Sequence, residues 1–211
     1  MFKNLPLNEF LDDLSSNSPA PGGGSVAALS SALAASLGSM VANLTIGKKS
    51  YNELSEENKL KVDESLKKCL SYKEEYVNFI EEDAQSFLKV MDIFKLPKET
   101  EEEKLARSKA LQEGYKVALE VPKRLCEETL KVYPILGELA NYGNKNAISD
   151  VGVAIIMAHA SIESALLNVI INLGSIKDGE YVNKINAFIE ATRKQSLQWK
   201  EEISKIVAEK L

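Results

Sequence analysis

Three glycines stand directly before a long uncharged stretch in PAPGGGSVAALSS, residues 19–31. Glycine is a poor helix former, so Gly22, Gly23 and Gly24 at a helix start indicate a backbone that something approaches closely. The uncovered N–H groups and the positive end of the helix dipole suit a carboxylate, a phosphate or a carbonyl oxygen. This is not a Walker A loop, because no Gly-Lys-Ser/Thr follows and no strand precedes it. The alternative is a flexible turn with Ser25 as the N-cap.

Asp83 is a second candidate, because it lies on the apolar side of a predicted helix. Ile80 and Phe87 are three residues before it and four after it, whereas Glu81 and Glu82 point outward. A carboxylate facing a core is unfavourable unless it is paired, hydrogen-bonded or functional, and burial would raise its pKa into a range useful for acid/base work. The alternative is a structural pairing with a lysine or a helix N-terminus.

The segment TIGKKSY, residues 45–51, carries a pair of lysines where the uncharged stretch ends. Lys48 and Lys49 complement the negative end of a helix, which is the structural interpretation. Adjacent lysines could also hold an anionic substrate tail, or one of them could be catalytic if partly desolvated. Tyr51 could stack on a ligand or donate a hydrogen bond.

A second small-residue helix start occurs in GNKNAISDVGVA, residues 143–154. Asn144 and Asn146 suit a turn, and Ser149 or Asp150 suits the N-cap of the following helix, so capping is the default interpretation. Two central helices with starts of this kind could nevertheless face one cleft.

Two nearly uncharged stretches would position these groups. No residue between Leu14 and Gly47 is charged, and between Val151 and Ile176 only Glu163 is. Both stretches are long enough to span a bilayer, but their serines, threonine and asparagines argue against insertion. We expect two central helices of a soluble bundle, surrounded by protein, whose small residues let neighbouring backbones come close.

The remaining segments predict amphipathic helices. Apolar residues recur three, four and seven positions apart in the segment 66–91, with charges on the other face. Thr100 and Glu103 offer a capping box for the next helix, which we expect to run to about Glu120, before Pro122 divides or kinks the pattern.

The last segment, from about Glu180, is another charged amphipathic helix, and no alternating strand pattern occurs anywhere. The sequence therefore predicts an all-α fold, a helical bundle with two central small-residue apolar helices surrounded by amphipathic helices. Residues 1–211 are expected to form a single helical domain.

Composition excludes several classes of function. The chain has 26 Lys and Arg against 31 Asp and Glu, a formal charge of -5, so no nucleic-acid partner is expected. Cys69 and Cys126 have no CxxC spacing and His159 has no ligand partner four residues on, which argues against a zinc site, a disulfide scaffold and a histidine-centred triad. We expect His159 to be buried or at an interface. Acidic residues interrupt the N-terminal apolar pattern that a signal peptide needs, which predicts a cytoplasmic protein.

Three segments, in order and spanning nearly the whole chain, resemble the cyclodeaminase/cyclohydrolase family: PAPGGGSVAALSSALAASLGSMVANLTIGKKSY, DAQSFLKVMDIFKLPK and ANYGNKNAISDVGVAIIMAHASIESALLNVIINL. The resemblance implies an all-helical homodimer that binds a tetrahydrofolate derivative in clefts between helices, with no metal and no cofactor beyond the folate substrate. It implies closure of 5-formiminotetrahydrofolate to 5,10-methenyltetrahydrofolate with loss of ammonia, or hydrolysis of the methenyl compound to 10-formyltetrahydrofolate.

The resemblance also implies roles for the candidates. Asp83 is the preferred acid/base residue, Asp150 is the second choice for that role, and Lys48 would hold a reacting group or a carboxylate of the substrate. The expected substrate-binding residues are Gly22, Gly23, Gly24, Ser25, Lys49, Tyr51, Asn144 and Asn146.

Both reactions stay open, because no residue ties the site to one leaving group. A formiminotransferase half has no counterpart in the sequence, which favours a free-standing cyclohydrolase. A non-catalytic helical dimer or adaptor that kept the scaffold is the alternative, although a pure scaffold needs neither a core-facing carboxylate nor three glycines.

Overall fold

A computed structural model describes all residues 1–211, and every regular element in it is helical. Two short 3-10 helices, Phe2–Asn4 and Lys145–Ala147, accompany eight α-helices: α1 Leu7–Leu14, α2 Gly23–Thr45, α3 Lys49–Asn52, α4 Glu56–Phe94, α5 Glu101–Leu130, α6 Val132–Tyr142, α7 Ile148–Leu173 and α8 Gly179–Lys210.

The two apolar helices, α2 and α7, form the centre and run antiparallel. Near the start of α2, the Ser161 hydroxyl of α7 donates to the Ala27 carbonyl at 2.7 Å, and at its end the Asn144 N–H donates to the Thr45 hydroxyl at 2.8 Å. The two helices approach closely because the residues between them are small; Ala28, Ala35 and their neighbours are fully buried.

Amphipathic helices pack on this pair and leave one side of it uncovered. The helix α4 packs on α2, while α5 and α8 pack on α7, and a single cluster of 38 buried apolar residues runs through the bundle. The all-α bundle with two small-residue helices at its centre, predicted from the sequence, is confirmed.

Both predicted N-caps are wrong. The cap of α2 is Gly22, and Ser25 lies inside the first turn with its side chain buried against α4. The cap of α7 is Ala147, so Ser149 and Asp150 also lie inside the first turn of their helix. In each case the helix starts earlier than the capping preference indicates, because tertiary contacts and the preceding 3-10 turn fix the start.

The helix α5 continues ten residues beyond the predicted end, to Leu130. Pro122 lies inside it and is buried, so packing of the proline ring outweighs the hydrogen bond that the helix lacks there. At the other end of α5, the Thr100 and Glu103 capping box is present as predicted.

One side of the central pair is apolar and exposed. We call it the α2–α7 face, and its large side chains are between 37% and 73% exposed: Val26, Leu33, Met40 and Leu44 from α2, with Val153, Ile156, Leu167 and Ile171 from α7. The Ser30 hydroxyl donates to the Met157 carbonyl at 2.9 Å between them, which holds the two rows side by side. By length and composition alone, α2 and α7 could each cross a membrane.

Candidate functional site

A cavity of about 370 Å³ opens at the start of α2, between α2, α4, α5 and α7. The glycine turn forms one wall, α4 supplies Asp83 and several apolar side chains, and α7 closes the third side. The residues that line it are Pro19, Ala20, Gly22, Gly23, Gly24, Asp83, Ala84, Ser86, Phe87, Val90, Met91, Phe94, Tyr115, Ala118, Asn168, Ile171, Asn172 and Ser175.

Asp83 lies directly against the first turn of α2. A Cβ built on Gly24 would stand 1.9 Å from the Asp83 Oδ1 atom, so only glycine leaves room for the carboxylate there. Gly22 has nothing within that reach, and a Cβ on Gly23 would meet the Asn168 amide at 3.4 Å. The close approach that the glycines indicate is therefore that of the protein's own carboxylate, at Gly24.

The Ser25 hydroxyl links Asp83 to the backbone of α4. Its Oγ lies 3.0 Å from the Asp83 Oδ2 atom and 3.1 Å from the Ile80 carbonyl oxygen. When Asp83 is ionised, the hydroxyl donates to the carboxylate; when Asp83 is protonated, it donates to Ser25, which then donates to the Ile80 carbonyl. Because both protonation states keep hydrogen-bond partners, this geometry suits a group that gains and loses a proton.

The pKa of Asp83 is also consistent with a group that gains and loses a proton. Burial raises the pKa of the Asp83 carboxyl above its ordinary value, and hydrogen bonds from the Ser25 hydroxyl and backbone N–H lower that pKa by a smaller amount. The remaining first N–H groups of α2, those of Gly23 and Gly24, donate to no acceptor of the protein. The helix start thus holds one carboxylate and keeps two donors for a ligand.

An apolar wall continues from Asp83 along α4. Phe87, Met91 and Phe94 of α4 are each 37% to 43% exposed, and Tyr115 of α5 packs edge-on against Phe94 at 6.5 Å between ring centroids. Exposed aromatic and thioether side chains beside one partly buried carboxylate form a slot suited to a flat, partly polar ring.

Asn168 and Asn172 of α7 complete the cavity, and they are not among the predicted site residues. The Nδ2 of Asn168 donates to the Ser164 carbonyl and the Nδ2 of Asn172 to the Asn168 carbonyl, each at 2.8 Å. Both amide oxygens therefore remain as acceptors. The signal was in the sequence, as two amides four residues apart on an otherwise apolar helix, but only the antiparallel packing brings them to the glycine turn.

The other predicted residues lie at the opposite end of α2. Lys48 and Lys49 are exposed, and the Lys49 ammonium has only Glu53 nearby at 3.8 Å. The Tyr51 hydroxyl donates to the Asp63 carboxylate at 2.9 Å. None of these side chains reaches the cavity of its own chain.

Asn144, Asn146 and Asp150 also lie at this far end. The Asn144 side chain donates to the Leu44 carbonyl at 2.9 Å and accepts the Asn146 N–H at 3.0 Å, which fastens the end of α2 to the start of α7. Asp150 is partly exposed in the first turn of α7. The expectation that both helix starts face one cleft is wrong within a single chain, because antiparallel helices start at opposite ends.

A known protein family, known sequences and a known structure match this chain. The profile of the Formiminotransferase-cyclodeaminase family matches residues 6–191. The chain belongs to this family. It is similar to a methenyltetrahydrofolate cyclohydrolase of Methylorubrum extorquens, with 41% identity over 87% of this chain and 86% of that one.

Two further members of the family are informative. Mouse formimidoyltransferase-cyclodeaminase is 35% identical over 84% of this chain, which spans only 32% of that longer protein. The crystal structure of formiminotetrahydrofolate cyclodeaminase from Thermotoga maritima superposes with a TM-score of 0.85 and 28% identity, over 99% of this chain and 98% of that one.

The other reactive side chains of this family member are buried or lie away from the cavity. Cys69 and Cys126 are free and buried, and burial raises the pKa of Cys69 to about 12. His159 is half-buried, with Nδ1 at 2.8 Å from the Ser196 hydroxyl, which in turn contacts the Tyr133 hydroxyl at 2.7 Å. Burial lowers the pKa of His159. No group of three His, Cys, Asp or Glu side chains could hold a metal ion.

Proposed function

We propose that this enzyme of folate one-carbon metabolism hydrolyses 5,10-methenyltetrahydrofolate to 10-formyltetrahydrofolate in the cavity at the start of α2. The observation that carries the proposal is the 41% identity with a cyclohydrolase that matches this chain almost end to end. The cavity supports it, because it pairs one partly buried carboxylate with an apolar slot and two amide acceptors.

In this mechanism Asp83 acts as the base. Its carboxylate takes a proton from a water molecule as the oxygen attacks the cationic carbon between N5 and N10, and the carboxylate stabilises that positive charge beforehand. Asp83 then returns this proton to N5 as the bond from the carbon to N5 breaks, and the hydroxyl group of the intermediate loses its own proton, which leaves the formyl group on N10. One proton is released overall, because the substrate is a cation and the product is neutral at that centre.

A second candidate is the cyclodeaminase reaction, favoured by the superposition with the Thermotoga maritima enzyme. Here N10 attacks the formimino carbon and its proton passes to the imino nitrogen, and Asp83, now in its protonated form, donates a further proton to that nitrogen, which departs as ammonia. The amide oxygens of Asn168 and Asn172 are acceptors suited to the N–H groups of a formimino substituent, which the methenyl carbon lacks.

The remaining predicted residues keep proposed roles. The N–H groups of the Gly22 to Ser25 turn bind oxygen atoms of the substrate, and Lys48 or Lys49 binds the glutamate carboxylates of the folate. Asp150 stays the second choice for the acid/base role. Tyr51, Asn144 and Asn146 are predicted contacts of the substrate.

We further propose that the chain works as a cytoplasmic homodimer, without a cofactor beyond its folate substrate and without nucleic acid. The α2–α7 face supports the dimer, because large exposed apolar patches on a soluble protein mark sites of association. In that dimer the face is covered by a second copy and not by lipid.

The test uses the purified protein with each folate separately, following methenyl absorbance and released ammonia. Loss of the methenyl signal faster than in buffer supports the cyclohydrolase, whereas ammonia release with a rising methenyl signal supports the cyclodeaminase. A folded protein that turns over neither folate would contradict the proposal and favour the non-catalytic helical adaptor.

A further inference from the structure

One positively charged side chain stands at the end of the cavity that is remote from Asp83. Asp83 is the only Asp, Glu, Lys, Arg or His residue in the cavity wall itself. Beyond that wall, the Arg107 guanidinium of α5 lies over the ring of Phe94, with its Cζ 5.6 Å from the ring centroid. Phe94 also packs edge-on against Tyr115, which follows Arg107 by about two turns of α5. The guanidinium therefore extends the wall that Phe94 and Tyr115 form.

Most of the hydrogen-bonding capacity of Arg107 is unused. Its Nη2 donates to the Phe94 carbonyl at 3.1 Å, at the end of α4. The Nε N–H is buried and has no hydrogen-bond partner, and Nη1 donates to no protein acceptor either. The nearby Glu103 carboxylate instead accepts the N–H groups of Glu99 and Thr100. A half-buried guanidinium without a carboxylate partner is suited to an anionic ligand, because its planar N–H groups match the two oxygens of a carboxylate.

The spacing between Asp83 and Arg107 fits the length of a folate. Asp83 and Phe94 are eleven positions apart on α4, which corresponds to roughly 16 Å along the helix axis. A hydrogen bond of about 3 Å at each end leaves roughly 10 Å between the one-carbon atom and a carboxylate. That is the extent of a benzoyl ring with its amide bond, the part of a folate that joins N10 to the glutamate. Phe87 and Met91 line the cavity between the two ends and offer apolar surface to that ring.

We propose that Arg107 binds a carboxylate of the first glutamate of a folate whose one-carbon group lies at Asp83. This rests on the proposed function and names the residue of the same chain that recognises the glutamate. A folate glutamate has more than one carboxylate, so the role proposed above for Lys48 or Lys49 concerns a carboxylate that Arg107 does not bind. The stack on Phe94 holds the guanidinium in place before the ligand arrives, so little side-chain freedom is lost on binding.

Two ligands that differ only in the glutamate test this assignment. One is 5-formyltetrahydrofolate, and the other is 5-formyltetrahydropteroylamide, in which an amino group replaces the whole glutamate. Calorimetric titration gives the dissociation constant of each ligand for the wild-type protein and for Arg107→Gln, which removes the charge but keeps a side-chain N–H for the Phe94 carbonyl. We expect the variant to bind the folate about 10- to 100-fold more weakly. The pteroylamide should bind equally to both proteins.

Arg124→Gln is the matched control. Arg124 also lies on α5 and stacks on a phenylalanine of α4, with its Cζ 5.1 Å from the Phe79 centroid. It already pairs with Glu82 at 3.2 Å, and Phe79 is not part of the cavity wall, so both dissociation constants should stay at the wild-type values.

A second variant covers the case in which Arg107→Gln does not fold. Arg107→Lys keeps the charge and loses the planar fork, so it should lose part of the affinity for the folate and none of the affinity for the pteroylamide.

The outcomes separate this inference from the proposed function. If a variant loses affinity for both ligands by the same factor, Arg107 only supports the structure around Phe94, and the inference is overturned. An unchanged affinity for the folate overturns it as well. A wild-type protein that binds the folate through Arg107 but turns over neither 5,10-methenyltetrahydrofolate nor 5-formiminotetrahydrofolate contradicts the proposed function and retains the inference. A wild-type protein that binds neither ligand contradicts both.

Discussion

The two ends of α2 carry different kinds of polar groups. At its start, Ser25 is buried and shares a hydrogen bond with Asp83, which is partly buried and lines a cavity. At its end, Lys48 and Lys49 stand in solvent beside no cavity, and Lys49 is 92% exposed. Burial changes proton affinity, whereas exposure preserves a charge that attracts ions, so we assign chemistry to the first end and substrate capture to the second.

The largest effect is expected from Asp83→Asn, which removes the carboxylate at the start of α2. We expect turnover to fall about 10²- to 10⁴-fold, the usual contribution of a general acid or base. The amide has nearly the same shape, so the fold is retained by circular dichroism. Asp92→Asn on the same helix is the control, because Asp92 is exposed and pairs only with Lys95. Equal activity of the two variants would remove Asp83 from the mechanism.

Gly24→Ala alters the same end of α2 without removing a polar side chain. The added Cβ overlaps the Asp83 carboxylate and must displace it. A shift of about 1 Å in a catalytic group can lower rate about 10²-fold, and we expect a loss of that order in steady-state assays. Gly179→Ala, at the start of α8 with open space around it, is the control. Wild-type turnover by the Gly24 variant would mean that the position of Asp83 does not matter.

A smaller effect is expected from Asn168→Ala. Loss of one hydrogen-bond acceptor for the substrate should raise KM by up to about 10-fold with kcat less affected. Asn141→Ala is matched to it, because Asn141 makes the same bond to the carbonyl four residues before it but lies exposed on α6. If both variants keep the wild-type KM, Asn168 does not contact the substrate.

The pH dependence gives the mildest contrast. Because the pKa of Asp83 is raised above 3.8, cyclohydrolase turnover should fall as pH drops through that raised value, and Asp83→Asn should lack this limb. The sign for stability is opposite. The folded state binds the Asp83 proton more tightly than the unfolded state, so its contribution is largest below the ordinary carboxyl pKa and is lost as pH rises through the raised one. Thermal melts of both proteins across this pH range check it.

Helical periodicity was enough to predict the position of a side chain when all the residues concerned lie on one helix. The position of Asp83 on an apolar stripe follows from Ile80 and Phe87, and both neighbours lie on the same helix. The two small-residue helices were likewise predictable, because long stretches with almost no charged residue indicate helices that lack a charged, solvated face.

What sequence could not supply was the pairing of elements. No local sequence pattern indicates that α7 runs antiparallel to α2. Asn168 and Asn172 were therefore not predicted at the cavity, and Asp150 was expected near the start of α2. Capping preferences also misplaced both helix starts, since Ser25 is drawn inside its helix by the Ile80 carbonyl and the Asp83 carboxylate. Local propensity is weak against such buried partners.

The most direct measurement is a crystal structure of the protein with 5-formyltetrahydrofolate, a stable folate that carries a one-carbon group on N5. We expect the pteridine in the slot beside Phe87 and Asn168, the one-carbon group within hydrogen-bond reach of Asp83, and the glutamate at the rim of the cavity. A folate bound elsewhere, with Asp83 facing an empty cavity, would contradict the assignment of the chemistry to this end of α2.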